Sequence, residues 1–446
     1  MEKEKNKMYD GGITLIALVV TVVVLLILAG VSLNLVIGNE GILTRSKEAA
    51  NKYGKQAENE QQGLNDIETW LGEQFGDGTD SGEDKGVIKV PVNTKATKNG
   101  TIDGKEPNIN NPIIPKGYTP INAGNATWGD GNSSPAQSSI DNGLVIKDDN
   151  NNEWVWIPVE ESVLLGMYET SNEGIALSGD VGVTTKLYTK STTIGKTGDK
   201  KTLSRSTPNT TSFREPDLVT YYDKKDSYYK TILGYDSPKT MAEAFTSDYA
   251  NMIASIQKYG GFYIGRYELS NEGVQKEKAT LTNKNWYELY KKCTTLNASD
   301  KVESKMIWGI QWDLACDFIA TKGEQKSITN SRAWGNYSDS TSPANTGNYE
   351  QDTDGHAIKK NTGSNEAWKA NNIYDIAGNC YEWTQEANDA GYRAYRGGYY
   401  SDNGSNFPAF NRSDYGPTGG SYDSLRFSYH FNNKVACKLQ HIKLPI

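Results

Sequence analysis

The sequence predicts an α+β chain in which a long N-terminal helix, first apolar and then amphipathic, precedes a mixed domain rich in turns and aromatics. Three observations carry that prediction. Residues 11–39 hold no charged side chain, and about twenty apolar residues suffice to cross a bilayer as a helix. Residues 42–75 turn polar yet keep Ala50, Tyr53, Ala57, Leu64, Ile67 and Leu71 on one helical stripe. The chain of 446 residues has 44 glycines, 27 tyrosines and 10 tryptophans, a composition that points away from a helical bundle and toward turn-rich β structure with an aromatic core. A formal charge of -8 and a pI near 5.2 leave no general basic face, so nucleic acid is excluded as a partner.

Taken in order, the first twelve residues are short and charged and end in Gly11 and Gly12. A secretory signal places its small residues after a shorter apolar core; here they precede it. That placement resembles a type IV prepilin leader with its N-terminal methylation motif. The resemblance implies cleavage after Gly12 with Ile13 as the new N-terminus, and a prepilin peptidase and pilin-like subunits as partners. A plain signal anchor remains the other reading. Both imply a single-pass cell-membrane protein with its C-terminal domain extracellular. Ala17 stands where such pilins carry the glutamate of head-group pairing, which leaves filament assembly open but not membrane insertion. The stripe on 42–75 could pack on the domain, on other subunits or on a partner.

The acidic, glycine-rich stretch 76–86 reads as a flexible linker, and 87–120 as a lead-in with short β-prone pieces. Residues 121–446 form the main domain. Residues 143–147 and 154–159 flank a cluster of turn formers and predict a β-hairpin. Residues 160–237, rich in Thr, Ser and Lys, predict an insertion over the surface. Met241, Ala244, Phe245, Tyr249, Met252, Ile253 and Ile256 predict an amphipathic helix leading into a strand from Gly261, and two more helices are expected near 286–293 and 311–319. No solenoid repeat is present.

Residues 372–398 organise the rest. They set Tyr381 and Trp383 around a Gly378-Asn379 turn and end in Arg396-Gly397-Gly398. From the residues alone this is a glycine-rich β-hairpin with buried aromatics. The run 374–384 with Arg396-Gly397-Gly398, the stretch 261–271 and the stretch 153–159 together resemble the formylglycine-generating enzyme and sulfatase-modifying-factor family. The resemblance implies a variant of the C-type lectin fold from about Gly117 to Phe431. It also places the family's calcium ligands on Asp375, Gly378, Cys380 and Glu382, a mixture of oxygen donors that suits a hard cation. Capping and hydrogen bonding to the backbone is the other reading of those carboxylates. Asp352-Thr353-Asp354-Gly355 resembles a calcium loop but lacks the remaining ligands.

The same resemblance argues against catalysis. The family's copper-binding cysteine segment corresponds to 424–429, which contains no cysteine, and copper chemistry needs neighbouring thiolates. Cys293, Cys316, Cys380 and Cys437 have no CxxC spacing, and His356, His430 and His441 make no metal-binding cluster. Neither zinc nor a disulfide is required. A modifying enzyme and a minor pilin or pseudopilin stay as alternatives to a binding protein.

The binding reading rests on 399–433, where Tyr, Ser, Asn, Asp and Gly dominate. Tyr supplies rigid contact area and the small polar residues adapt their hydrogen bonds, as in antibody loops. The segment resembles the variable region of proteins diversified by retroelements; an ordinary polar loop is the other reading. The expected contact residues are Tyr399, Tyr400, Ser401, Asp402, Asn403, Asn406, Phe407, Phe410, Asn411, Ser413, Asp414 and Tyr415, and the expected ligand is a macromolecule or glycan.

Overall fold

The computed structural model describes residues 87–121, 140–170, 187–205, 213–216, 220–296, 302–341, 358–388, 391–418, 433–435 and 437–442. The chain enters through β1 (Ile88–Lys89) and β2 (Gly100–Thr101), a parallel pair, and then β3 (Thr119–Ile121). The predicted hairpin follows as β4 (Val145–Lys147) and β5 (Glu153–Pro158), with Asp148 accepting from the backbone of Asn150 and Asn152 to close its turn. After α1 (Glu161–Leu165) come two small hairpins, β6 (Tyr168–Thr170) with β7 (Leu187–Thr189), and β8 (Thr192–Ile194) with β9 (Lys201–Leu203).

Helices α2 (Tyr221–Asp226) and α3 (Tyr228–Thr231) precede α4 (Pro238–Tyr259), the amphipathic helix that the spacing predicts. Ser237 caps its start, Pro238 occupies its first turn, and Gly260 ends it in the left-handed region. Its apolar side buries Met241, Phe245, Tyr249, Met252 and Ile256. β10 (Gly261–Gly265) follows at once, then α5 (Trp286–Thr294), β11 (Val302–Met306) and α6 (Gly309–Thr321). The remainder is β12 (Lys369–Ala370), β13 (Ile373–Tyr374), β14 (Tyr381–Ala387), β15 (Arg393–Arg396), β16 (Arg412–Tyr415), β17 (Asn433–Val435) and β18 (Cys437–Ile442).

Two larger sheets result. One has the order β11-β18-β10-β5-β4-β3 and is antiparallel throughout; the other has the order β16-β15-β14-β17, with only β14 and β17 parallel. Aromatic residues fill the space beside them. Phe245 meets Trp286, Tyr290 and Trp308 at 6.3, 5.1 and 6.5 Å between ring centroids, spacings at which edge-on and tilted rings attract.

The fold class needs a correction. Among the described residues no helix is long and apolar enough to cross a membrane. The described residues fold into a mixed domain with many antiparallel strands, and no membrane-spanning helix is among them. The longest described helix, α4, cannot take that part because its outer side carries Lys239, Glu243 and Lys258. The leader, the 13–75 helix and the linker, with Gly12, Ile13 and Ala17, lie outside the described residues.

The described parts of 160–237 also differ from a surface excursion. Ile194, Leu203, Arg205, Glu215 and Asp223 are buried there. Polar composition hid this, because the charged members go inside to meet opposite charges. The lead-in likewise joins the main sheet through β3.

Candidate functional site

Strand alternation sorts the four-stranded sheet into two sides. Tyr381 and Trp383 share one side of β14. Trp383 pairs with Tyr395 on β15, and Tyr395 with Ser413 on β16. On this side the rings touch in series. Trp383 lies 5.8 Å from Tyr395, Tyr395 4.5 Å from Tyr381, Tyr381 5.0 Å from Tyr399, and Tyr399 5.1 Å from Tyr400. The series runs from buried Trp383 to half-buried Tyr399 and Tyr400.

Asp402 stands at the open end of this series. Its Oδ2 accepts from the Tyr381 hydroxyl and, at 3.2 Å, from the Tyr399 backbone. Ser338 donates its backbone N–H and its hydroxyl to the Asp402 carbonyl at 2.9 and 2.7 Å. Burial pushes the Asp402 carboxyl up to about 6, against the pull of the Tyr381 and Tyr399 hydrogen bonds. Burial likewise pushes the Tyr395 phenol up to about 12; a hydrogen bond with Ser413 opposes the rise, and Asp414 and Asp402 add to it. The turn that brings this loop back needs glycine. Gly398 has φ +74, and a Cβ on it would lie 2.3 Å from the Phe407 carbonyl oxygen.

The other side of the same sheet is charged and dry. Arg396 donates to Asp313 Oδ1 at 2.6 Å and lies 3.5 Å from Glu386, while Arg205 donates to Asp313 Oδ2 at 2.6 Å and to Glu386 at 3.0 Å. Arg412 on the edge strand reaches Glu386 at 2.9 Å and stacks 3.9 Å over Phe213. The side chains of Arg205, Arg396, Asp313 and Glu386 are wholly buried. Burial alone would push the Asp313 carboxyl up, but Arg205 and Arg396 beside it outweigh that and hold it below the ordinary range. A guanidinium fork against carboxylates fixes orientation as well as distance, so these pairs lock β15 onto α6 through Asp313 and tie β16 to β14 through Glu386.

Glu215 extends the cluster. It accepts from the Gly309 and Ile310 backbone N–H groups, the latter at 2.9 Å, and from the Thr189 hydroxyl at 2.9 Å. It thus closes the start of α6 from a segment about a hundred residues away, where a carboxylate suits the helix dipole. Burial and the nearby Glu386 push it up to about 7, with Arg205 and these hydrogen bonds pulling the other way.

The expected contact residues divide. Tyr399, Tyr400 and Asp402 join the ring series, Ser413 stands opposite Tyr395, and Tyr415 lies two residues along on the same side. Ser401 is half-buried beside them. Asn403 shapes the turn, its Oδ1 accepting from Ser405 N at 3.0 Å and its carbonyl from Asn406 and Phe407; Asn406 is exposed and Phe407 half-buried. Asn411 accepts from Arg396 through its carbonyl at 3.0 Å, and Asp414 takes a hydrogen bond from Asn388 on the charged side of the sheet. Phe410 is a correction: it is 5% exposed and packs in the core 5.9 Å from the Arg396 guanidinium. Its size suits either place, and the apolar space beside Trp312 and Arg396 takes it. Tyr381 and Tyr395 were not among the expected contacts, although the spacing of Tyr381 and Trp383 on one strand signals a shared face.

Of the expected calcium set, Asp375 uses Oδ2 to accept from Thr362 and Gly363 at 2.9 and 2.8 Å, and Gly378 donates its N–H to the Gly397 carbonyl at 2.8 Å. Cys380 and Glu382 are buried, with Glu382 in register with Arg396. Among the described residues no group of three or more His, Cys, Asp and Glu side chains is placed to hold a metal ion. Asp352 and Asp354 lie outside the described residues. Cys293 is disulfide-bonded, whereas Cys316 and Cys380 are buried, and burial holds the Cys316 thiol well above its ordinary range.

No protein-family model and no curated protein matches the chain, so neither the pilin-like nor the sulfatase-modifying-factor resemblance is matched there. A solved structure, Treponema denticola variable protein 1, shows a weak likeness: 17% identity and a TM-score of 0.26, over 40% of this chain and 85% of that chain.

Proposed function

We propose that this chain is a binding protein whose ligand-contacting face is the tyrosine series of β14, β15 and the 399–402 loop, with Ser413 and Tyr415 at its margin. The observation that carries the reading is the difference between the two sides of one sheet: at the 395–402 end one side ends in half-buried rings, while the other holds the buried cluster of Arg205, Asp313, Glu386 and Arg396. Arg393, on the ring side beside Tyr415, is buried against Asp223 and takes no part in the face. Rings already held in mutual contact lose little freedom when a ligand arrives, and tyrosine offers wide contact area with a hydrogen-bonding tip. The cluster behind them resists deformation of the strands. This reading uses no thiol chemistry, because Cys316 and Cys380 are buried and such chemistry needs an accessible thiolate.

The half-buried positions Tyr399, Tyr400, Ser413 and Tyr415 are also the ones that could change identity without disturbing the buried cluster. We read them as the positions that differ among copies of a diversified gene, with Arg396, Gly398 and Phe410 held fixed. Sequencing the 3′ end of the gene across one population tests this; equal variation at Arg396 and Tyr400 would contradict it.

The ligand is a macromolecule or glycan, and an array carrying purified glycans and extracellular proteins, probed with the full chain, finds it. Replacing Tyr399 and Tyr400 together by alanine should weaken binding of the strongest hit at least tenfold with the melting temperature within about 2 °C. Unchanged binding by that variant would remove the face from the account.

A further inference from the structure

Around the 399–402 loop the charge is one-sided, since Arg393 further along the ring side of β15 is buried and paired with Asp223. Between Gly397 and Thr418 the one basic residue is Arg412, and its guanidinium is spent on Glu386 on the opposite side of the sheet. Asp402 sits among Tyr381, Tyr395, Tyr399 and Tyr400, and no lysine, arginine or histidine among the described residues pairs with it. Both of its side-chain hydrogen bonds fall on Oδ2, and Oδ1 has no donor among the described residues. A half-buried carboxylate whose Oδ1 takes no donor among the described residues, beside a series of tyrosine rings, is an arrangement that attracts a cation. An anion such as phosphate or sulfate would meet only repulsion there.

We infer that the tyrosine face takes a basic side chain, a lysine ammonium or arginine guanidinium, presented by a protein partner, with Asp402 as its counter-charge and Tyr395, Tyr399 and Tyr400 as its walls. This rests on the binding face proposed above and narrows its ligand. The Tyr, Ser and Asn palette around Asp402 is the one used in protein-binding loops, which favours a protein over an amino sugar. The groups around Asp402 are Tyr381 from β14, Tyr395 from β15, Tyr399 from its own loop and Ser338 from the 327–341 segment, where Asp339 pairs with Arg332 at 2.8 Å. Burial raises the Tyr381 and Tyr395 phenols further above neutral pH, so between pH 5 and 8 the charge of Asp402 sets the field beside them.

The test uses the full chain and four small probes in saturation-transfer NMR: Nα-acetyl-lysine methylamide, its Nζ-acetylated counterpart, Nα-acetyl-arginine methylamide and glucosamine. The lysine or arginine probe should receive saturation and the Nζ-acetylated probe at least tenfold less. Asp402→Asn keeps an acceptor for Tyr381 and Tyr399, so the loop stays in place while the charge goes; affinity should fall about tenfold. The unsubstituted chain supplies an independent arm. Because the Asp402 carboxyl titrates near 6, affinity should weaken severalfold between pH 7.5 and pH 5. Equal binding of the Nζ-acetylated probe, an unaffected Asp402→Asn variant, or no binding of either cation overturns the inference, and preference for glucosamine overturns the protein partner. If array binding still depends on Tyr399 and Tyr400 when the cation probes fail, the face stands and the cation falls; if both fail, the face itself is misplaced.

Discussion

Replacing Asp313 by asparagine tests the ion-pair cluster at its centre. Asp313 takes Arg205 on one oxygen and Arg396 on the other, both at 2.6 Å and both wholly buried. Asparagine keeps the shape and one acceptor oxygen but leaves two buried guanidiniums sharing the charge of Glu386. Breaking one buried pair costs about 3 to 5 kcal/mol; the retained acceptor puts the expected loss near the lower end, about 3 kcal/mol. For a large domain a kcal/mol is worth about 2 °C of melting temperature, so the variant should melt about 6 °C lower in near-ultraviolet circular dichroism. The exposed pair of Lys276 and Glu366 at 3.2 Å gives the comparison, since Lys276→Ala should cost less than about 0.5 kcal/mol. Asp313→Asn within 1 °C of the parent, or no worse than Lys276→Ala, would refute the claim that this cluster fixes the sheet.

Three further outcomes are expected. Phe410→Ala should lose about 3 kcal/mol or more in urea unfolding, because a buried ring leaves a cavity, whereas Asn406→Ala at an exposed turn should change little. The folded carboxyl of Glu215 is raised from 4.5 to about 7, so between these values the folded state holds a proton that the unfolded state has released, and its contribution to stability falls as pH rises from about 4.5 to about 7 and levels off above that. Glu215→Gln should flatten that dependence by up to about 1.4 kcal/mol per pH unit, seen by comparing melting curves of parent and variant at pH 5 and 8. Asp375 already spends Oδ2 on Thr362 and Gly363, so calcium or a chelator should shift the melting temperature by less than about 1 °C; a rise of several degrees with calcium would restore the expected site.

Periodicity and turn chemistry made the local elements legible. The spacing from Met241 to Ile256 gave α4, the turn formers at 148–152 gave the β4–β5 hairpin, and Gly397-Gly398 marked a real backbone constraint. Long-range charge pairing was not legible. Arg205, Asp313, Glu386 and Arg396 are scattered along the chain, and nothing local marks them as partners, so the 160–237 stretch read as surface when part of it goes inside. Phe410 was misplaced for a related reason: an aromatic in a polar run signals a contact residue or a core residue equally well, and only the packing beside Trp312 decides.

The central claim is that one side of the β14–β16 sheet meets the ligand while the other holds it rigid. Hydrogen exchange of the full chain, with and without the strongest array hit, tests it directly. The account predicts ligand-dependent protection at 395–402 and 413–415, with 309–321 already slow in the free protein and unchanged on binding. Protection confined to other segments, or fast exchange in 309–321 of the free chain, would contradict it.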